Sequence, residues 1–316
     1  MDTFSAPHYR DDDSARAYLE QLRWPSGTVC PHCGVIGHSY KTPTPGRYRC
    51  AEKECRKDFT VTMNTPMERS HIALHKWLQA FYLMTSSKKG VSAHQLHRTL
   101  DITYRSAWFM AHRVRECMRT GGLTLLGGEG KVVEADETYY GDIPEAKRRK
   151  FKTTGRPMSK DKRGPGKKRA VVALVERGGK VRSFHPALAD GGNVTKIVRE
   201  NINRETRLHT DESKLYHRVG KEFSAHETVN HSIKEYVRGD VTTNTVEGYF
   251  SIFKRGMRGI YQHCSEKHLH RYLAEYDFRY NHRSALGFND GERAALAIKS
   301  ADGKRLTYRG TNEAGL

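Results

Sequence analysis

Four cysteines in two close pairs constrain the fold of this chain more than any other feature of the sequence. They stand in 30-CPHC-33 and 50-CAEKEC-55, with sixteen residues between the pairs. Two such pairs can surround a zinc ion with four thiolates, each pair on its own turn. Because the segment is too short to fold around a hydrophobic core, metal binding would supply much of its folding free energy. The pattern predicts a zinc ribbon whose ligands are Cys30, Cys33, Cys50 and Cys55.

Other arrangements of this segment stay open, because the second cysteine pair has four intervening residues instead of two. His32 or His38 could replace one thiolate, and buried cysteines without a metal are the simplest alternative. Cys117 and Cys264 stand alone and are typical of packed thiols. The clustering of four of the six cysteines fits a reducing compartment with a metal site better than disulfide bonds.

The charge of the chain predicts a polyanionic partner. Its 316 residues carry 55 Lys and Arg against 36 Asp and Glu, a net charge of +19. This excess favours nucleic acid over an anionic membrane surface. The longest apolar run, 170-AVVALV-175, is too short to cross a bilayer, and the N-terminus has no apolar signal segment. We expect a soluble intracellular protein.

A glycine-rich stretch at residues 120–130 divides a helical first half from a second half in which strand and helix patterns mix. Mixed patterns of this kind predict the α/β class, with a mixed sheet flanked by helices. The predicted regions are an N-terminal helical lead at 1–28, the zinc ribbon at 29–69, a helix-turn-helix-type region at 70–119, an α/β domain at 130–285, and a C-terminal helix and tail at 286–316.

Residues 91–117 predict two helices joined by a tight turn. Ser92 and Gln95 fit a capping box at the start of the first helix. The second helix carries Arg105 and Arg113, where a recognition helix would face the major groove of DNA. Many helical pairs never contact DNA, but the cysteine pattern and the positive net charge favour DNA binding here.

Three acidic residues predict a site for divalent cations. Asp136 lies in 131-KVVEADETYYG-141 on the first strand of the α/β domain, Asp211 ends a second strand, and Glu247 lies near the start of a helix. Carboxylate oxygens suit magnesium, and two such ions can promote an in-line phosphodiester displacement. Glu137 is the alternative to Asp136, because neighbours on a strand point to opposite faces. Surface pairing of these acids with Lys and Arg is the alternative to a metal site.

Basic residues near these acids predict contacts with DNA phosphates. Residues 147–169 hold twelve Lys and Arg against one Asp. We expect the basic loop, residues 142–169, to follow the DNA backbone, although its glycines and prolines also fit a solvated disordered run. In the helix, Lys254 lies two turns after Glu247 on the same face. The predicted phosphate contacts are Lys147, Arg148, Arg149, Lys167, Lys168, Lys254 and Arg255.

Several motifs resemble the bacterial insertion-sequence transposases of the ISXO-like group. The likeness covers about residues 20–285 and keeps the motifs in the same order: 50-CAEKECRKDFTVTMNTPMERS-70, 131-KVVEADETYYG-141, 209-HTDE-212, 244-NTVEGYFSIFKRGMRGIY-261 and 278-FRYNHR-283. The resemblance implies a zinc ribbon and a helix-turn-helix ahead of an RNase H-like domain of the DDE class. It also implies cutting and joining of double-stranded DNA at terminal inverted repeats, with Mg²⁺ or Mn²⁺ at the catalytic site.

Carried over by position, the resemblance makes Asp136 and Asp211 the first two metal ligands. In the family the third ligand is Asn or Glu, and here Asn244 and Glu247 lie one helical turn apart. We take Glu247 as the ligand because a carboxylate neutralises magnesium better, and Asn244 as an auxiliary group. We expect a homodimer or higher oligomer on DNA in the bacterial cytoplasm, associated with the nucleoid. The alternatives are a domesticated regulator that only binds DNA and a related RNase H-like nuclease.

Overall fold

The computed structural model describes residues 4–119, 121, 124–142 and 168–306. The chain divides into two compact units, Met1–Thr120 with His282–Leu316, and Gly121–Asn281. Most of the basic loop, including Lys147, Arg148, Arg149 and Lys167, lies outside the described residues. Within the described ranges, no helix is long and apolar enough to cross a membrane.

The first unit combines helices with a small antiparallel sheet. Its short 3-10 turns are Pro7–Tyr9 and Ser284–Leu286. The strands, paired in the order β1-β2-β3, are β1 (Ser39–Lys41), β2 (Arg47–Cys50) and β3 (Asp58–Thr60). The helices are α1 (Asp12–Arg23), α2 (Leu74–Ser86), α3 (Ala93–Leu100), α4 (Tyr104–Met118) and, near the end of the chain, α9 (Asp290–Lys299).

Helix α2 is the centre of the helical part of this unit. Its buried residues recur at the three- and four-residue spacing of an amphipathic helix, and they include Trp77, Leu78, Phe81 and Met84. Helix α9 packs against α2, and α1 and α4 also contact both helices. The sequence analysis placed residues 286–316 in a region of their own. In the structure, α9 belongs instead to the unit that begins the chain.

The zinc-ribbon segment joins α1 through three aromatic rings. The rings of Trp24, Tyr48 and Phe59 lie 5.4 to 5.8 Å apart between centroids. Tyr48 and Phe59 are opposite one another in the β2–β3 pairing, and both are buried. These rings are a small apolar contact, and the short strands, the turns, an ion pair between Arg49 and Asp58 and the cysteines also hold the segment.

The second unit is built on a five-stranded mixed sheet in the order β6-β5-β4-β7-β8. Strand β4 is antiparallel to β5 and parallel to β7. The strands are β4 (Val132–Asp142), β5 (Lys168–Glu176), β6 (Val181–Phe184), β7 (Arg207–Thr210) and β8 (Ala225–Thr228), with a two-stranded pair β9 (Val237–Arg238) and β10 (Val241–Thr242). This mixed sheet, flanked by helices, confirms the predicted α/β class.

Helices cover both faces of this sheet. They are α5 (Gly191–Asn201), α6 (His217–Gly220), α7 (Asn244–Gly256) and α8 (Glu266–Asn281), with a 3-10 turn at His231–Ile233 and a π-helical turn at Met257–Tyr261. Val133 and Ala135 of β4 pack in the cluster that contains α5, whereas α7 and α8 pack on the opposite face. Because successive strand residues point to opposite faces, the even-numbered residues of β4 face α7.

Candidate active site

Three of the acidic side chains of strand β4 lie in three different environments. Glu134 is fully buried and accepts hydrogen bonds from Arg177 and from the first turn of α7. Glu137 lies on the other face, where it accepts hydrogen bonds from Tyr216 Oη at 3.0 Å and Ser213 Oγ at 3.4 Å. Asp136 is half-buried on the α7 face. Of the two adjacent acids, Asp136 is therefore the one that shares a face with Glu247.

Asp136 lies within electrostatic reach of both other predicted ligands. Burial, followed by the negative charges of Asp211, Glu137 and Glu247, raises the pKa of Asp136 to about 8. The parallel register explains part of this proximity, since Glu134 is opposite His209 and the two aspartates each follow two residues later. Strands β4 and β7 and helix α7 thus bring their acids to one place.

Asp211 and its neighbour Glu212 have opposite surroundings. Burial raises the pKa of Asp211, whose Oδ1 accepts a hydrogen bond from Ser213 N at 3.0 Å. Glu212 instead accepts hydrogen bonds from the backbone N–H groups of His231 and Ser232, at 2.9 and 3.1 Å. A further hydrogen bond from the Ser232 hydroxyl lowers the pKa of Glu212 to about 2. Glu212 therefore anchors the turn that brings His231 beside the site.

Glu247 occupies the first turn of α7, with 44% of its side chain exposed. Its Oε1 accepts a hydrogen bond from Thr243 Oγ1 at 2.8 Å and lies 3.6 Å from His231 Nε2. Asn244, the first residue of α7, is exposed. The sequence analysis missed Thr243 and His231. Thr243 could have been noticed as the polar residue one turn before Glu247, whereas no sequence pattern identified His231.

The three carboxylates are close, but they are not at metal-ligand spacing. Across the described residues, the four cysteines are the only set of three or more His, Cys, Asp or Glu whose ligand atoms all lie within 4.8 Å of one another. The acids form instead a partly buried concentration of negative charge. Such a concentration is costly unless a cation neutralises it, and oxygen ligands suit Mg²⁺ or Mn²⁺. The residues present therefore fit a divalent cation.

The cysteine cluster has the dimensions of a zinc site. Cys30 Sγ lies 3.8 Å from Cys55 Sγ, and Cys33 Sγ lies 3.6 Å from Cys50 Sγ. A tetrahedron with zinc–sulfur distances of about 2.3 Å has edges of about 3.8 Å. Each pair lies on a turn closed by the backbone, as in the 2.8 Å hydrogen bond from Gly34 N to Cys30 O. Gly34 has a φ of +79°, which glycine adopts without strain.

The two arginines predicted to contact DNA from α4 lie in different surroundings. Arg105 is exposed, next to the exposed Tyr104. Arg113 donates to Pro66 O at 2.8 Å and to Leu306 O at 3.2 Å, and its guanidinium lies 4.3 Å from the ring centroid of Phe109. These contacts give Arg113 a structural role inside the first unit.

The remaining described residues predicted to contact phosphates all belong to the second unit. Lys168 is exposed at the start of β5. Lys254 is half-buried in the last turns of α7. Arg255, the next residue, is exposed, and its Nε donates to Ser251 Oγ at 3.1 Å.

Two domain families match the chain. The ISXO2-like transposase domain matches residues 125–281, and the transposase zinc-ribbon domain matches residues 10–58. A curated relative, an uncharacterized protein in the transposable element ISH50 of Halobacterium salinarum, is 30% identical over 272 residues, which make up 83% of this chain and 88% of the relative. The chain belongs to the ISXO2-like transposase family. The match confirms the resemblance drawn from the motifs and identifies a DNA transposase with a DDE-type domain.

Two solved assemblies are similar to this transposase at low identity. The Mos1 strand transfer complex is 11% identical, with 73% of this chain and 79% of that chain covered and a TM-score of 0.27. The simian T-cell lymphotropic virus intasome in complex with PP2A regulatory subunit B56 gamma is 12% identical, with 58% and 67% covered and a TM-score of 0.28.

Proposed function

We propose that this transposase cuts and joins DNA strands at the terminal inverted repeats of its element, with Asp136, Asp211 and Glu247 holding divalent cations. The observation that carries the proposal is the convergence of these acids from β4, the end of β7 and the first turn of α7, where burial and three neighbouring carboxylates raise the pKa of Asp136 to about 8. Carboxylates that are held close despite their mutual repulsion are stabilised most when a cation binds to them. In a transposase of the DDE type, this is the group of acids expected to bind magnesium.

Each acid has a distinct support in the fold. Asp136 lies on the central strand β4, Asp211 follows the parallel strand β7, and Glu247 lies on the first turn of α7. When bound, Mg²⁺ would polarise the phosphodiester and activate the attacking oxygen. Thr243 and His231 hold the carboxylate of Glu247 beside the other acids. Asn244 is the auxiliary polar group and orients the phosphate or a water molecule.

DNA recognition and zinc binding belong to the first unit in this proposal. Zinc held by Cys30, Cys33, Cys50 and Cys55 folds the ribbon, and the helical pair α3–α4 presents Arg105 to the transposon end. Phosphates along the catalytic unit contact the basic loop together with Lys168, Lys254 and Arg255. Because two ends must be joined to one target, a homodimer or higher oligomer assembles on the DNA.

A strand-transfer assay on labelled repeat-end DNA tests this function. Asp136→Asn and Asp211→Asn keep the shape of each side chain and remove its charge. We expect cleavage and joining to fall by about 10²–10³-fold, the scale of losing one group that stabilises a charged transition state, with DNA affinity unchanged. Glu247→Gln should behave alike and Asn244→Ala should cost less. The opposite ranking would make Asn244 the third ligand.

The same assay separates the alternatives. A nuclease would cut the ends without joining them, and a regulator would bind DNA without cutting it. Full magnesium-dependent joining by all four variants would refute the assignment of these acids to the catalytic site.

A further inference from the structure

Glu134 is a buried carboxylate that the proposed metal site does not use, although it lies two residues before Asp136 on the same face of β4. Its side chain is fully buried. Oε1 accepts hydrogen bonds from Arg177 Nε and Nη2, at 3.1 and 2.9 Å, and from Thr245 Oγ1 at 2.8 Å. Oε2 accepts from the backbone N–H groups of Thr245 and Val246, at 2.8 and 3.0 Å. Five donor groups thus hydrogen-bond to this carboxylate.

These bonds make Glu134 the cap of helix α7. Thr243, at the N-cap position, makes no side-chain capping hydrogen bond. The first N–H groups of a helix need acceptors, and a carboxylate at this end also interacts favourably with the helix dipole. Here the acceptor comes from strand β4, on a residue 111 positions earlier in the chain than Thr245. The start of α7 is therefore attached directly to the strand that carries Asp136.

Arg177 fixes the segment that leads into the same helix. Besides its two hydrogen bonds to Glu134, it donates to Asp240 O at 2.9 Å and to Thr242 O at 3.3 Å. Its backbone N–H donates to Val132 O at 3.0 Å, so the arginine is itself held against β4. One guanidinium thus joins the buried carboxylate, strand β10 and the entrance to α7.

We propose that Glu134 and Arg177 are positioning residues for the metal site, because they fix the first turn of α7 and with it the place of Glu247 opposite Asp136. The proposal rests on the proposed function and adds residues that need not touch metal or DNA. Glu247 lies two residues after Thr245, so any shift of this turn moves its carboxylate relative to β4. A site whose acids repel one another depends on such supports, since otherwise Glu247 would move away.

Two variants test the pair in the full-length protein, with a matched control. Glu134→Gln keeps the shape of the side chain, but its NH₂ group replaces one of the two accepting oxygens and faces hydrogen-bond donors. Arg177→Lys keeps the charge, but a single ammonium cannot reach Glu134 and both backbone carbonyls. The control is Glu222→Gln, which removes the charge from a pair away from α7, where Arg199 donates from Nε to Oε1 and Oε2, at 3.0 and 2.8 Å, and from Nη2 to Oε1.

Three quantities are measured: the Mg²⁺ concentration that half-saturates strand cleavage, the rise in Tm that Mg²⁺ produces, and hydrogen exchange of the Thr245 and Val246 amides without Mg²⁺. Losing a supporting residue around a metal site typically costs about 10–100-fold in metal affinity or activity. In Glu134→Gln and Arg177→Lys we expect the Mg²⁺ concentration that half-saturates cleavage to rise by this factor. KM for DNA should be unchanged, and high Mg²⁺ should partly restore cleavage. Their α7 amides should exchange faster, and Glu222→Gln should match the wild type.

The proposal would be overturned if both variants reached half-maximal cleavage at the Mg²⁺ concentration of the wild type and exchanged the Thr245 and Val246 amides at the wild-type rate. If Glu134→Gln does not fold, Arg177→Lys alone decides by the same criteria. If the wild type shows no magnesium-dependent cleavage, the proposed function fails. The amide exchange of the two variants then still decides whether the pair fixes α7, and exchange equal to that of the wild type overturns it.

Discussion

The cysteine cluster and the acid cluster are both ligand sets, but the chain assembles them in different ways. The cysteines lie within 26 consecutive residues, and their sulfur atoms are already 3.6 to 3.8 Å apart in the pairs Cys33–Cys50 and Cys30–Cys55. The acids come from two strands and a helix, with 111 positions between Asp136 and Glu247. Burial, followed by the negative charges of the neighbouring acids, raises the pKa of Asp136 to about 8.

The difference follows from what holds each set. The ribbon has only three strands of three or four residues and one small aromatic contact, so its metal is part of its folding. The acid cluster stands on a sheet and helices with large apolar clusters on both faces. That core holds the carboxylates together against their repulsion. One cluster should therefore lose its structure without metal, whereas the other should keep its structure and be destabilised by its own charge.

The largest expected effect is on the ribbon. Cys50→Ser removes one of four thiolates, so stoichiometric zinc should be lost and residues 29–60 should lose protection from hydrogen exchange. The second unit should keep its exchange pattern, because its core does not depend on zinc. Metal analysis and peptide-resolved exchange check this. Ser106→Ala, a change on helix α4, is the control and should keep full zinc. A purified wild-type protein without zinc would remove the distinction between the two clusters.

A substitution in the acid cluster should stabilise the metal-free protein, whereas the substitution in the cysteine cluster should unfold its segment. Asp136→Asn removes one of the repelling charges, so the metal-free protein should become more stable at pH 8. A gain of about 1 kcal/mol corresponds to a rise in Tm of about 2–4 °C for a domain of this size. Thermal unfolding in buffer without added Mg²⁺ measures it, and no chelator is used because that would also strip zinc. A lower Tm for this variant would mean that Asp136 supports the fold.

The pH dependence sharpens the same contrast. Asp136 has a folded pKa of about 8 against an ordinary value of 3.8, so its contribution to stability is fully present below about pH 4. It is lost as pH rises from there through about 8. The wild type should therefore lose stability relative to Asp136→Asn across this window, and most of the difference should be gone at pH 4. Urea midpoints of both proteins at pH 4, 6 and 8 give the comparison, and a constant difference would contradict it.

The two clusters also differ in how far the sequence predicts them. Two cysteine pairs predict a zinc site by local spacing, since each pair needs only one turn. The acids Asp136, Asp211 and Glu247 were predicted from strand and helix ends and from a family resemblance, because no local rule brings distant residues together. The role of Glu134 could not be predicted. It is an acidic residue on the same face of β4 as Asp136, two positions earlier, and only the tertiary structure shows that it caps a helix.

The element boundaries show the same limit. The strand predicted to carry Asp136 is β4 (Val132–Asp142), and the helix predicted to carry Glu247 near its start is α7 (Asn244–Gly256), because long periodic runs carry their own signal. Strands β8, β9 and β10 were not predicted, since two- to four-residue strands have too few residues to show a period. The packing of α9 on α2 joins distant parts of the chain, and periodicity does not encode the partner.

The smallest expected effect concerns helix α4, where two arginines differ in exposure. Arg105 is exposed, whereas Arg113 donates to Pro66 O and Leu306 O. Arg105→Gln should reduce the slope of log affinity against log salt by about 0.9, the value for one phosphate contact. Arg113→Gln should keep the slope and lower Tm, because two backbone carbonyls lose their donors. Fluorescence anisotropy at several salt concentrations, with a melting curve for each variant, measures both. If Arg113→Gln alone changed the slope, α4 would contact DNA through Arg113, the arginine that also bonds within the first unit. Exposure would then not identify the DNA-contacting arginine.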